Sequence, residues 1–204
     1  FDGKVTLRIV EGEGCYPIFA RVPGWSGLAD AGRFRRFDRD WKRGDVIELE
    51  LPMSVRTSFW EMNAVAVSRG PLLYALEMEA EERIVPRYKV PFENRWVEDG
   101  GGEFPRKEIV PKSDWGYALV LNEDKSLLKC ELDVAQDVPR LKVAVLRTDY
   151  GGWGFMRDVT TGRAVDPPYS PVPRESRPVE SVELVPMGMT EVRVALFPWA
   201  RMME

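Results

Sequence analysis

Apolar residues that alternate one by one with charged residues constrain this chain more than any other feature. Ile47, Leu49 and Leu51 alternate with Glu48 and Glu50, and Leu128, Cys130, Leu132 and Val134 alternate with Lys129, Glu131 and Asp133. Leu141, Val143 and Val145 repeat the pattern, as do Val192, Val194 and Leu196. Successive side chains of a strand point to opposite faces, so a period of two sets one face in a core and the other in water. These segments read as half-buried strands of antiparallel sheets. Residues 5–10, 18–22, 64–68, 72–77, 116–121 and 182–185 are further strand candidates, and 122–125 reads as a hairpin loop. With 17 glycines and 16 prolines punctuating the chain, long helices have little room. A short helical turn is expected near 79–83.

About ten short strands with no helices between them indicate an all-β sandwich architecture, not α/β winding. Two stretches mark boundaries. Residues 81–108 carry dense charges of both signs and the run Asp99-Gly100-Gly101-Gly102, and 166–178 holds Pro167, Pro168, Pro171, Pro173 and Pro178, a semi-rigid extended exit. The expected division is 1–80, 81–178 and 179–204. The last piece is too small to fold alone and must pack on one of the others.

The chemistry open to the chain is narrowed by what it lacks. It has no histidine, which excludes Ser-His-Asp and Cys-His catalysis, HExxH zinc sites and the two-histidine iron triad. The charge is −4, from 29 basic and 33 acidic residues, with no concentrated basic footprint for a phosphate backbone; no nucleic-acid partner is expected. No apolar run of about 18 residues exists, so no membrane helix is encoded and no membrane partner is expected. No secretory leader pattern opens the sequence, and the start at Phe1 reads as a fragment of a longer polypeptide. Cys15 and Cys130 stand far apart with no CxxC and read as two separate buried thiols, without metal.

Candidate functional residues are of three kinds. Asp38 with Asp40, Glu81 with Glu82, and Glu123 with Asp124 are the closest carboxylate pairs; a glycosidase acid and base could come from such residues, though solvated turns and strand edges explain them as well. The chain has seven tryptophans, and a flat indole can stack on the apolar face of a sugar ring. The suggestive cluster is Tyr150-Gly151-Gly152-Trp153-Gly154-Phe155, followed by Trp96 and Trp115, whereas Trp25 and Trp41 adjoin strands as core plugs would. No Gly-Lys-Ser/Thr follows Gly151–Gly154, so it is no phosphate loop. Arg33, Arg35, Arg36, Arg39, Lys42 and Arg43 are interleaved with Phe34, Phe37, Asp38, Asp40 and Trp41 and read as an ordinary charged strand and turn.

Several strings taken together resemble the C-terminal part of glycoside hydrolase family 127, the β-L-arabinofuranosidase-like proteins. They are Ala20-Arg21-Val22-Pro23-Gly24-Trp25; Trp41-Lys42-Arg43-Gly44-Asp45-Val46-Ile47-Glu48-Leu49; Leu51-Pro52-Met53 with Arg56; Arg69-Gly70-Pro71-Leu72-Leu73-Tyr74-Ala75-Leu76-Glu77; and 182–198, with Leu184-Val185-Pro186 and Gly188. The match lies in 1–80 and 179–204. An Asn-Gly turn usual in the family is absent from 27–40. Physically these strings end strands, turn the chain and drop an aromatic on the core.

The resemblance implies a whole enzyme with an (α/α)6 barrel that holds a zinc-bound cysteine nucleophile and a glutamate acid/base, followed by two β-sandwiches, the second inserted into the first. The tail 179–204 would then complete the first sandwich. The family's cysteine-rich catalytic motif has no counterpart here, so no catalytic residue carries over, no cofactor is expected in this chain, and zinc would belong to the barrel. The expected role is non-catalytic support of that barrel, its partner within one polypeptide, through a patch of about 600–1,500 Å². The alternative is a carbohydrate-binding module that takes an oligosaccharide on Trp153, Tyr150, Trp96 or Trp115. An independent carboxylate-based glycosidase is the third reading.

Overall fold

The computed structural model describes residues 3–89, 93, 95–98, 105–134, 138–148, 167–173 and 177–201. Among them the chain is all-β, with sixteen strands, three short 3-10 turns and no α-helix; no helix is long and apolar enough to cross a membrane. It forms two compact units, Phe1–Arg56 with Ser68–Leu72, and Thr57–Val67 with Leu73–Glu204.

The first unit holds β1 (Lys4–Arg8), β2 (Gly14–Arg21), β3 (Phe34–Trp41) and β4 (Val46–Glu50). β1 pairs antiparallel with β4, and β2 with β3 over all eight residues from Gly14↔Trp41 to Arg21↔Phe34. That register places Ile18, Ala20, Phe37 and Trp41 on one face, which joins Val22, Ile47, Leu49 and Leu51 in the core. Trp41 is fully buried, and its indole N–H donates to the Tyr16 carbonyl at 2.7 Å, so the one polar atom of the ring keeps a partner inside. Trp25, in the 3-10 turn Gly24–Ser26, packs half-buried against the same cluster. Both tryptophans thus occupy the plug positions expected of them.

The β2–β3 connection manages without Asn-Gly. Gly32, at φ 82°, donates its N–H to the Val22 carbonyl at 2.8 Å, and Arg33 donates to Asp30 at 3.0 Å. Asp30 also takes a forked ion pair from Arg35, 2.8 and 3.0 Å. In the same basic run Arg36 lies on Asp38 at 2.7 Å and the Arg39 guanidinium 4.2 Å over the Trp41 ring. Gly70 turns the chain at φ 57°, where a Cβ would stand 2.5 Å from Cε of Met53; a side chain there meets both strain and an occupied space.

β5 (Val55–Phe59), β6 (Val65–Arg69) and β7 (Leu72–Leu76) carry the chain across the boundaries of the units. The second unit continues with β8 (Ala80–Ile84), β9 (Arg87–Lys89), β10 (Trp96–Glu98), β11 (Lys107–Pro111), β12 (Tyr117–Leu121), β13 (Cys130–Asp133), β14 (Arg140–Arg147), β15 (Val179–Pro186) and β16 (Trp199–Arg201). Its main sheet has eight strands in the order β16-β12-β14-β15-β7-β6-β5, with β13 also on β14. β8 pairs with β11 and β9 with β10 as separate two-stranded ribbons.

Several expectations change. β12 is buried along its whole length and β14 on both faces from Val143 to Leu146; they are central strands covered on both sides, not half-buried ones. β13 is exposed throughout, and Leu132 and Val134, expected in a core, face solvent at the edge. Where a helical turn was expected at 79–83, residues 80–83 are strand, since β8 sets Glu82 against Lys107 at 2.7 Å and Glu81 against Lys112, cross-strand pairs that a ladder provides. Residues 192–196 form no strand. Thr190 Oγ1 claims the Val192 carbonyl at 2.9 Å, the Val194 carbonyl accepts from Leu76, regular pairing returns at Phe197 with Val65, and Leu196 is exposed. The ladder is also not wholly antiparallel, because β16 runs parallel to β12 from Leu119↔Trp199 to Leu121↔Arg201.

The tail pairs on two sides. β15 joins β7 through Leu184↔Leu76 and β14 from Leu141↔Leu184 to Leu146↔Val179. The divisions drawn from composition at 80 and 178 therefore both fall inside the second unit. The 122–125 loop forms as a turn, closed by Asn122 N–H to Ser126 O at 2.9 Å and Lys125 N–H to Asn122 O at 3.0 Å.

Candidate functional site

Of the aromatic residues singled out for sugar stacking, Tyr150 and Trp153 lie outside the described residues. Trp96 stands on β10, 58% exposed, with the Arg87 guanidinium 5.1 Å over its ring. Trp115 is half-buried just ahead of β12, where its carbonyl accepts the Tyr117 N–H at 3.0 Å. The two belong to separate elements. The sequence reading missed Trp60, which is 61% exposed after β5, since no glycine-rich or charged string marks it.

The second unit has a cleft of about 500 Å³ bordered by Glu77, Lys112, Ser113, Asp114, Tyr117 and Glu183. Its carboxylates are held by two arginines of β14. Arg140 donates to Glu77 and, at 3.0 Å, to Glu183; Arg147 donates to Asp114 at 2.5 Å and lies 3.6 Å from Glu180. The hydrogen bonds it donates to Glu77 and then to Glu183 raise Arg140 above the ordinary arginine range. These pairs staple β14, β15 and the end of β7 together, and engage the acids as structural partners.

Among the described residues, each carboxylate with a displaced pKa moves downward. Arg35 lowers Asp30, Ser126 lowers Asp124 and Lys129 lowers Glu131. Glu81, which accepts from Arg83 and Lys112, is lowered from 4.5 to about 2. A glycosidase acid needs the opposite displacement, a proton retained near neutrality. Within the pairs weighed from the sequence, Asp38, Glu81, Glu82 and Asp124 each have a cation or hydroxyl partner.

Both cysteines are free and exposed, not buried as expected. Cys15 falls on the solvent face of β2, opposite Asp40, and Cys130 on the edge strand β13, opposite Val143. Atoms packed around the Cys130 sulfur nonetheless push its thiol pKa up, away from the thiolate that metal ligation requires. No group of three or more Cys, Asp or Glu residues suited to a metal ion occurs among the described residues.

Fold and site together define an all-β chain whose larger unit is built on an eight-stranded mixed sheet and whose clustered charges act in stapling strands. No family model matches the sequence, and no curated protein matches it. Among solved structures, one described as a glycoside hydrolase shares the fold with a TM-score of 0.53 and 20% identity, covering 98% of this chain and 31% of that chain. A GH127 β-L-arabinofuranosidase from Geobacillus stearothermophilus T6, Ara127N, aligns at a TM-score of 0.48 and 18% identity, over 98% of this chain and 29% of that one. The chain therefore spans under a third of the length of either.

Proposed function

We propose that this chain is the non-catalytic β-sandwich region of a glycoside hydrolase of the family 127, β-L-arabinofuranosidase-like type, and that it supports a helical (α/α)6 barrel which does the chemistry. The observation that carries this reading is the fold match, which covers 98% of this chain yet only 31% of a glycoside hydrolase. An outward apolar surface also supports it. Phe19 and Phe34, 56% and 64% exposed, lie diagonally on the solvent face of the β2–β3 pair, opposite Arg36 and Arg21. The barrel and its zinc belong to the remainder of such an enzyme. The test is to assay the purified chain on a panel of aryl glycosides, arabinofuranosides included, beside the product of the complete reading frame. The chain alone should be inert and the complete product active; turnover by the chain alone would overturn the support role.

A second reading, carbohydrate binding through exposed aromatics, is favoured by the exposure of Trp96, whose indole has one face toward Arg87. Loss of oligosaccharide binding in Trp96→Ala tests it.

A further inference from the structure

The β2–β3 pair of the first unit turns one face to the core and the other to water, and every side chain on the outer face is exposed. At one end of that face Arg21 stands opposite Phe34 and Phe19 opposite Arg36; at the other, Pro17 stands opposite Asp38 and Cys15 opposite Asp40. Residues two apart on a strand share a face, so these opposed pairs follow one another at about 7 Å along the ladder. The Phe19 and Phe34 rings are 56% and 64% exposed. The Arg36 guanidinium lies 5.8 Å over the Phe19 ring and pairs with Asp38 at 2.7 Å. One strip of side chains is therefore apolar for most of its length, cationic toward one end and anionic toward the other.

An exposed apolar strip with a polar rim marks a contact surface, and the order of its charges says what fits it. A two-fold axis that lies in the plane of this face and runs across the strands sets a second copy face to face with its strands reversed. The pair Phe19 with Arg36 then lies over Pro17 with Asp38 of the second copy, and the pair Arg21 with Phe34 over Cys15 with Asp40 of the second copy. Both cations meet anions, and a ring meets a proline. An axis along the strands would set cation over cation and anion over anion. A partner surface of one sign would match only one end. Self-complementarity of this kind belongs to an isologous contact. Eight residues at about 3.4 Å each, and two strands about 10–15 Å across with their side chains, make a face of roughly 300–400 Å². Two copies would cover on the order of 700 Å², less than a stable dimer buries, so the association is weak, with Kd on the order of 10–100 µM.

We propose that the outer face of the β2–β3 pair is a self-complementary docking surface whose occupant is a second copy of this chain, seated with its strands reversed. The support role is carried by the fold match and does not depend on this face. Sedimentation velocity of the purified chain, in reducing buffer so that Cys15 stays a thiol, would be run from about 5 to 500 µM, a range that brackets the expected Kd. Wild type should pass reversibly from monomer to dimer. Arg21→Glu with Arg36→Glu makes the charges of the face wholly acidic, and Asp38→Lys with Asp40→Lys makes them wholly basic. All four positions are exposed, so folding is retained, which circular dichroism checks. Each variant alone should associate about tenfold or more weakly than wild type, because like meets like, and an equimolar mixture of the two should associate at least as tightly as wild type. Recovery in the mixture is a result that a folding defect does not give. Phe19→Ser should also weaken association about tenfold, as loss of an aromatic anchor does. A wild type that stays monomeric to about 500 µM overturns the proposal and leaves the face to the remainder of a longer polypeptide. Association undiminished in both charge variants overturns it too, and puts the contact elsewhere on the chain. Neither result touches the support role, which is read from turnover and not from mass.

Discussion

Trp199→Phe tests the indole bond that ties Trp199 to the Asn63 carbonyl. Trp199 is 2% exposed, pairs in parallel with Leu119, and holds the Asn63 carbonyl through its indole N–H. Phenylalanine keeps an aromatic ring against Phe59 but removes the donor. Leaving this part-buried carbonyl without its partner costs about 1–3 kcal/mol, and the smaller ring leaves a void worth on the order of 1 kcal/mol. The expected loss is about 2–4 kcal/mol, a large share of a domain stability of roughly 5–15 kcal/mol. For about 150–250 residues this lowers Tm by roughly 4–16 °C. The assay is equilibrium urea unfolding followed by far-ultraviolet circular dichroism, which does not depend on the indole being replaced. Trp60→Phe is the control, since its indole is exposed and its N–H partner Ser58 is in water; within about 0.5 kcal/mol of wild type is expected. A Trp199→Phe protein as stable as wild type, or a control that costs as much, refutes the assigned role of the indole bond.

Trp41→Ala should cost about 3–5 kcal/mol in the same urea assay, because a fully buried indole and its bond to Tyr16 are both lost. Gly70→Ala should cost about 1–2 kcal/mol for the left-handed backbone alone and more if Met53 cannot move aside; thermal melts read it. The carboxyl of Glu81 is lowered from 4.5 to about 2 by Arg83 and Lys112, so its contribution is complete above the unfolded carboxyl value and is lost as pH falls toward 2. Acid titration should therefore show wild type losing its margin over Glu81→Gln in that window, with no change in margin above it. Cys130, exposed but with its thiol raised by the atoms packed around it, should react with a maleimide at neutral pH more slowly in the native state than in a cysteine peptide, read by mass spectrometry of the Cys130-containing peptide.

The sequence made the strands legible where period two coincides with real burial, as in β4, where Ile47 and Leu49 face the core and Glu48 and Glu50 face water. It misled where the same alternation falls on an edge. Leu128, Cys130, Leu132 and Val134 read like the residues of β4, but only Leu128 packs on the core, while Leu132 and Val134 on the edge strand β13 stay exposed. The charged run 79–83 could not announce its partner, because Lys107 and Lys112 lie far along the chain. Pairing in the tail is likewise non-local, and 192–196 lost its ladder to a threonine hydroxyl that competes for a carbonyl. Turn chemistry was more transparent. Pro-Gly-Trp, Lys-Arg-Gly-Asp and Arg-Gly-Pro all stand at turns or strand ends, which makes them a record of architecture and explains why they pointed to no reactive group.

The positive backbone angles at Met62, Asn63 and Lys125, 58°, 54° and 65°, were invisible to motif reading for a physical reason, since these are ordinary letters whose significance is a backbone sign. Left-handed backbone costs a non-glycine residue about 1–2 kcal/mol, and asparagine less, so Met62 and Lys125 together forgo about 2–4 kcal/mol. The indole bond to Asn63 and the amide bond to Ser170 return about 1 kcal/mol each, and the edge-to-face ring pair about 0.5–1.5 kcal/mol. The sum comes out near zero, so stability alone gives no reason to keep methionine where glycine is permitted. Met62→Gly should consequently be neutral, or stabilising by up to about 1 kcal/mol. A gain of that size would show that the bonds around Asn63 and Ser170 offset the backbone strain without exceeding it.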